Sequence, residues 1–191
     1  WREGRAAEAL AQYEALLEYT PQDAGVHHDM GRLQLELHRP SEAEAALRTA
    51  LALRPDSSSA HAHLGTALHQ QGRLDEAIAE FRAALRIDPS DADAYYNLGL
   101  VLVAHGAADE AVQAYRAAIV HDPQYVEAHV NLGILLAEQG QYAAAIAEYR
   151  QAQAIAPNRF EPYFNLAAAL AAQGQHEQAA AALQRVLELK R

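Results

Sequence analysis

Ala94-Tyr95-Tyr96-Asn97-Leu98-Gly99-Leu100 returns 34 residues later as Ala128-His129-Val130-Asn131-Leu132-Gly133-Ile134, and after another 34 as Pro162-Tyr163-Phe164-Asn165-Leu166-Ala167-Ala168. Looser copies come earlier, at Ala60 to Thr66 and at Val26 to Arg32. Pro21, Pro55, Pro89, Pro123 and Pro157 keep the same spacing. A fixed period of this length is the signature of a stacked repeat. Counted from the prolines, full repeats occupy 24–57, 58–91, 92–125, 126–159 and a slightly short 160–191, and residues 1–23 supply the second half of an earlier one. No insertion or linker interrupts them, so 1–191 is expected to form one solenoid domain.

Within the repeat the pattern resembles the tetratricopeptide repeat, a pair of antiparallel helices. That family places a large residue, Leu, Gly and a large residue at repeat positions 4, 7, 8 and 11. Alanines at 20 and 27, an aromatic at 24 and Pro at 32 follow. The third repeat reads Tyr95, Leu98, Gly99, Leu102, Ala111, Tyr115, Ala118 and Pro123 at those places, and the second and fourth follow closely. The first departs at Met30, Gln34 and Leu47, the last at Ala167, Leu183 and Val186. The resemblance implies an all-α fold, a right-handed superhelical solenoid of antiparallel helix pairs. Small residues at 8 and 20 let helices approach closely, and large ones fill the gap. Gly72, Gly106, Gly140 and Gly174 are expected to end the first helices in the left-handed conformation. Asp75 and Asp109 stand where an N-cap for the second helix is needed, and Ser41 with Glu44 has capping-box spacing. His38 in place of Gly, followed by Pro40, predicts a different turn in the first repeat.

Composition bounds the function. At 51% apolar and 21% charged the chain reads as globular. A net charge of -10 speaks against nucleic acid or an anionic membrane surface as main partner. No apolar run approaches the roughly 18 residues that span a bilayer. With no Cys there is no disulfide, thiolate site or Cys nucleophile, and neither redox compartment is favoured by that. A start at Trp1, without Met or a signal-like segment, reads as a piece of a longer protein.

Helical geometry shows which residues the core leaves over. Positions 4, 7, 8 and 11 of the first helix cluster on one side, and positions 2, 6, 9 and 13 fall within about 60° of one another on the other. Resemblance to the family implies that this other side lines the concave groove where partners bind. Position 6 reads Asp29, His63, Asn97, Asn131 and Asn165. Asn is a mediocre helix former, so three in phase need a reason. Their amides match the N–H and C=O of an extended peptide, and they resemble the asparagine ladder of protein O-GlcNAc transferases. The other reading is that each Asn bonds a neighbouring repeat and stabilises the stack. Around them Tyr96, Leu100 and Val103, then Val130 and Ile134, then Phe164 and Ala168 make an apolar lining. The N-terminal repeats put Arg32, Glu36, Thr66, His69 and Gln70 on the same surface. Asp93, Glu127 and Glu161 at position 2 either complement the helix dipole or form an acidic rail for a basic ligand. Arg48, Arg82, Arg116 and Arg150 read as a solvated outer column.

Chemistry is sparse. No two of the ten His are three or four residues apart, so no helix face presents a chelating pair, and structural roles are expected for them. Phosphate loops and triad-like constellations are absent from the sequence. No catalytic residue, cofactor or metal is therefore expected. The heat-shock co-chaperone subclass, which grips acidic tails with groove Lys and Arg, is set aside because the one Lys is Lys190. The expected function is protein–protein interaction, with a partly apolar and basic peptide held mainly by the last three repeats. Two alternatives stand beside it: the recognition region of a glycosyltransferase with a downstream catalytic domain, and a homo-oligomeric scaffold joined through open solenoid ends.

Overall fold

The computed structural model describes residues 2–190, with side chains from Glu8 onward; Trp1 and Arg191, the limits of the expected domain, lie outside them. Among the described residues there are eleven helices and no strand. They are α1 (Arg2–Tyr19), α2 (Ala24–Glu36), α3 (Pro40–Leu53), α4 (Ser58–Gln70), α5 (Leu74–Ile87), α6 (Ala92–His105), α7 (Ala108–His121), α8 (Val126–Glu138), α9 (Tyr142–Ile155), α10 (Glu161–Ala172) and α11 (His176–Leu189). The chain divides into two compact units, Trp1–Gly106 and Ala107–Arg191. In the first, α2 pairs with α3 and α4 with α5, while α3 packs on α4 and α5 on α6. In the second, α8 pairs with α9 and α10 with α11, α7 packs on α8, and α10 rests on both α8 and α9. α1 docks on α2 through Leu10, which is buried with Val26, Met30, Leu33 and Ala46, as the second half of an earlier repeat would.

Three of the pairs, α2 with α3, α4 with α5 and α8 with α9, close around a missing side chain. A Cβ added at Gly133 would lie 2.5 Å from the Tyr149 ring, one at Gly65 2.9 Å from Phe81, and one at Gly31 2.5 Å from Leu47. Position 8 is Gly in these three pairs because the side chain at position 24 occupies the space of its methyl group; in the last repeat, with Ala167 at position 8, Leu183 at position 24 is instead 45% exposed. Tyr149 and Phe81 are 2% and 1% exposed, so the fit is complete. Overpacking such a contact costs about 1–3 kcal/mol.

The turns within the repeats are more uniform than the sequence predicts. Gly72 and Gly140 take φ of 75°, as a left-handed cap requires, and His38 takes φ of 56°. His38 N–H donates to Leu35 O, and Arg39 N–H to Gln34 O. Gly72 and Arg73 bond His69 O and Leu68 O with the same offsets. The expectation of a different first turn is thus corrected. Two backbone hydrogen bonds and the packing of α2 on α3 hold His38 in a conformation that costs a non-glycine residue on the order of 1 kcal/mol.

The capping expectations are corrected as well. The N-caps of α3, α5 and α7 are Arg39, Arg73 and Ala107, none with a side-chain cap bond. After the left-handed residue only one non-helical residue remains, so each helix starts earlier than the capping pattern implies. Ser41, Asp75 and Asp109 lie inside the first turn and serve the following repeat instead. His105 Nε2 sits 3.0 Å from Asp75 Oδ1. Gln139 Nε2 donates to Asp109 Oδ1 at 3.0 Å, and Ser41 Oγ donates to Gln71 Oε1 at 3.3 Å. Glu44 is buried, takes Arg48 and Arg73 at 2.6 Å each, and accepts from Gln71 Nε2 at 2.8 Å. Burial pushes its carboxyl up, but the bonds from Gln71 and Arg73 and the charge of Arg48 outweigh that and hold it below its ordinary range. The side-chain caps that do form open α2, α4 and α6, from Asp23, Ser57 and Asp91.

One departure from the repeat pattern leaves a defect. Gln34 occupies the large core position 11 and is 7% exposed, and its Oε1 is buried without a hydrogen-bond partner. An unmade bond of this kind costs about 1–3 kcal/mol. Gln34→Met, similar in shape but apolar, is expected to raise unfolding stability in urea by about 1 kcal/mol. A value equal to or below the parent's would show that the carbonyl is satisfied in solution.

Candidate functional site

In the second unit, α8, α9 and α10 enclose a groove of about 210 Å3. Ile134, Ala137 and Glu138 come from α8, Tyr142 and Tyr149 from α9, and Asn165, Ala168 and Ala169 from α10. Two of the expected apolar residues, Ile134 and Ala168, therefore share a wall with one expected Asn. The Asn165 amide is half-buried and makes no hydrogen bond among the described residues. Tyr149 closes the floor; burial, with the Glu138 charge, pushes its phenol up to about 12, so it stays neutral. Phe164, one residue before Asn165, is 56% exposed. Asn131 on α8 is half-buried and engaged within the protein.

Two expectations change here. Val130 is 9% exposed and packed in a cluster with Val126 and Ala152, so it belongs to the core and offers no binding surface. Position 5 turns toward the second helix of its own repeat in this case, a choice that periodicity alone leaves open. The acidic side chains are also not bare. Arg159, in the turn before α10, pairs with Glu127 and lies 3.7 Å from Glu161. The bond from Arg159 holds the Glu127 carboxyl below its ordinary range. Sequence reasoning passed over Arg159 because it falls in an inter-repeat turn and not on the helical stripe.

In the first unit α6 carries Asn97, Tyr96 and Leu100, all half-buried, with Val103 and Asp93 exposed. Asn97, like Asn165, makes no hydrogen bond among the described residues. On α2, Arg32 and Glu36 are paired with each other at 2.5 Å. The outer Arg column is exposed as expected. A recess of about 700 Å3 between the turns at Thr20–Ala24 and Leu53–Arg54 is lined about equally by polar and apolar surface, and holds none of the expected residues.

The position-4 histidines take defined structural roles. His27, His61 and His129 each direct Nε2 to the carbonyl of the proline six residues earlier, at 3.0, 3.1 and 3.2 Å, and Tyr163 does the same through its hydroxyl at 3.3 Å. His61 and His129 also meet Glu80 and Glu148 through Nδ1, at 2.6 and 2.7 Å. Among the described residues no group of three or more His, Asp or Glu could hold a metal ion, and no helix is long and apolar enough to cross a membrane.

Family models described as tetratricopeptide repeat match residues 96–160, and residues 1–68 with 136–191; a third, described as TPR repeat, matches 65–106. One of these alone spans more than half of the chain, and the chain belongs to the tetratricopeptide repeat family. No curated protein matches by sequence. Among solved structures, MamA from Desulfovibrio magneticus, residue 41 to its end, is 22% identical with a TM-score of 0.79, over 88% of this chain and 95% of that one. YrrB, described as a TPR protein with an unusual peptide-binding site, is 22% identical with a TM-score of 0.77, over 93% and 91%. The C-terminal part of a TPR repeat-containing protein from Cytophaga hutchinsonii is 20% identical with a TM-score of 0.83, over 98% and 75%. These likenesses establish the fold, and fold and family together support a protein-interaction scaffold.

His129 gives the site region a pH signature. Burial lowers the basicity of its ring, but the Glu148 carboxylate and the Pro123 carbonyl raise it by more, for a net rise above the ordinary value. A folded-state pKa above the unfolded one contributes stability that is complete below about pH 6.5 and fades as pH rises through the folded value. His129→Gln is therefore expected to destabilise the chain more at pH 5.5 than at pH 9 in denaturant titrations. An equal loss at both values would remove the imidazolium from the account.

Proposed function

We propose that this chain is a non-catalytic interaction scaffold that holds an extended, partly apolar peptide segment of a partner protein. The observation that carries the reading is the groove of α8, α9 and α10, where an unpartnered Asn165 amide stands beside Ile134, Ala168 and the Tyr149 ring. An amide donor and acceptor can hold a peptide backbone, while the apolar wall takes one side chain. Phe164 adds exposed aromatic surface at the rim. Within the second unit, Asn131 on α8 adds a further, internally engaged amide; in the first unit, taken by itself, α6 carries Asn97 with Tyr96 and Leu100 as a separate candidate contact. Of the acidic residues, Glu127 and Glu161 stand on α8 and α10 of the second unit, and Asp93 on α6 of the first. Since Arg159 already answers two of them, apolar contact and backbone hydrogen bonding outweigh charge in choosing the ligand, and a basic residue in the peptide exchanges with Arg159.

Peptides selected against the chain by phage display supply the probe. Asn165→Ala is expected to weaken a selected peptide by about tenfold, the scale of one good hydrogen bond. Ala168→Trp, which fills the groove, is expected to abolish binding. Unchanged affinity in both variants, and in the triple Asn97→Ala, Asn131→Ala, Asn165→Ala chain, would sink the proposal. We also propose that 1–191 acts as one solenoid domain. Amide exchange protection that is lost together in α4 and α10 on mild destabilisation supports this, and independent loss overturns it.

A further inference from the structure

We propose that His28 and His63 form a two-histidine site for a divalent transition-metal ion of the zinc class, bridging α2 and α4 in the first unit. It goes beyond the peptide groove, uses different residues and stands independently of that reading. His28 Nε2 and His63 Nδ1 face each other at 2.9 Å, and the ring centroids are 5.0 Å apart. Two imidazoles bound tetrahedrally to one ion at about 2.0–2.1 Å would place their nitrogens about 3.3 Å and their centroids about 5.2 Å apart. The ring centroids stand close to the separation that a shared ion needs, while the nitrogens, now at hydrogen-bond distance, would have to part by about 0.4 Å to admit it. In the absence of metal the same two nitrogens share one proton.

The surroundings suit the role. His28 Nδ1 lies 3.6 Å from Asp29 Oδ1, so a carboxylate stands near the ligating ring, though beyond hydrogen-bond distance. Arg32, the cation on the same face, is engaged by Glu36. The His28 side chain is 21% exposed, which leaves a route for the ion and room for water to complete its coordination. With only two protein ligands, the remaining positions stay open. A spacing of 35 residues hides the pair from any search along one helix, since it joins position 5 of one repeat to position 6 of the next.

Zinc chloride titrated into the full chain at pH 7.5, with a chromophoric chelator as competitor, tests the site. The parent chain is expected to bind one more zinc than His63→Asn and His28→Gln, or to bind it at least tenfold more tightly. His69→Ala, outside the pair, should match the parent. In spectra of 15N-histidine-labelled protein, the first equivalent should move the nitrogen resonances of His28 and His63 ahead of the other rings. Equal zinc binding in the parent and in whichever of the two variants folds by circular dichroism would overturn the proposal. So would a first equivalent that leaves both rings unmoved.

Discussion

The contact between a glycine on the first helix and a large side chain on the second is the constraint on which the rest depends. Where Gly133 meets Tyr149, or Gly65 meets Phe81, the space of a methyl group is taken by a ring. That sets how closely each pair approaches and which way its remaining faces point. Alanines such as Ala77, Ala111 and Ala145, all fully buried, continue the close approach along the second helix. Stability in such an architecture is the sum of similar local units and their interfaces. A defect such as Gln34 is therefore local in its effect.

Polar groups then fix each repeat to its neighbour with the same period. A His or Tyr at position 4 reaches back six residues to a proline carbonyl, and a side chain at position 14 reaches back thirty residues to position 18. These joints explain residues that propensity rules assign elsewhere. Asp75 and Asp109 look like caps, but their partners lie in the next repeat. Their position in the first turn suits the helix dipole either way. The same logic accounts for His at a position that favours bulk: the ring packs while its tip donates to a carbonyl that the inter-repeat turn leaves unpaired.

α2 and α4 in the first unit and α8 and α10 in the second put different chemistry on their faces. α2 and α4 carry His28, His63, Arg32 and Glu36, already bonded among themselves. α8 and α10 carry an apolar hollow with one free amide, and the carboxylates Glu127 and Glu161, which Arg159 meets. An apolar hollow with few polar groups favours burial of a hydrophobic side chain. A paired polar face must first give up bonds of its own. That difference in desolvation, more than any difference in backbone, distinguishes the two faces.

Spacing in the sequence determined the fold, because the period of 34 and the small and large residues at positions 8 and 24 are local statements of how two helices must pack. It also put Asn165, Ile134 and Ala168 off the core side of their helices, since the residues that a helix does not use for its core follow from its geometry. Tertiary structure decided the rest. Val130 went to the core and Phe164, at the same repeat position, to the surface. Arg159 answered the acidic side chains from a turn, and His28 met His63 across a repeat. Each of these depends on which side chain of another element arrives at a given point. Helical periodicity carries no record of that arrival.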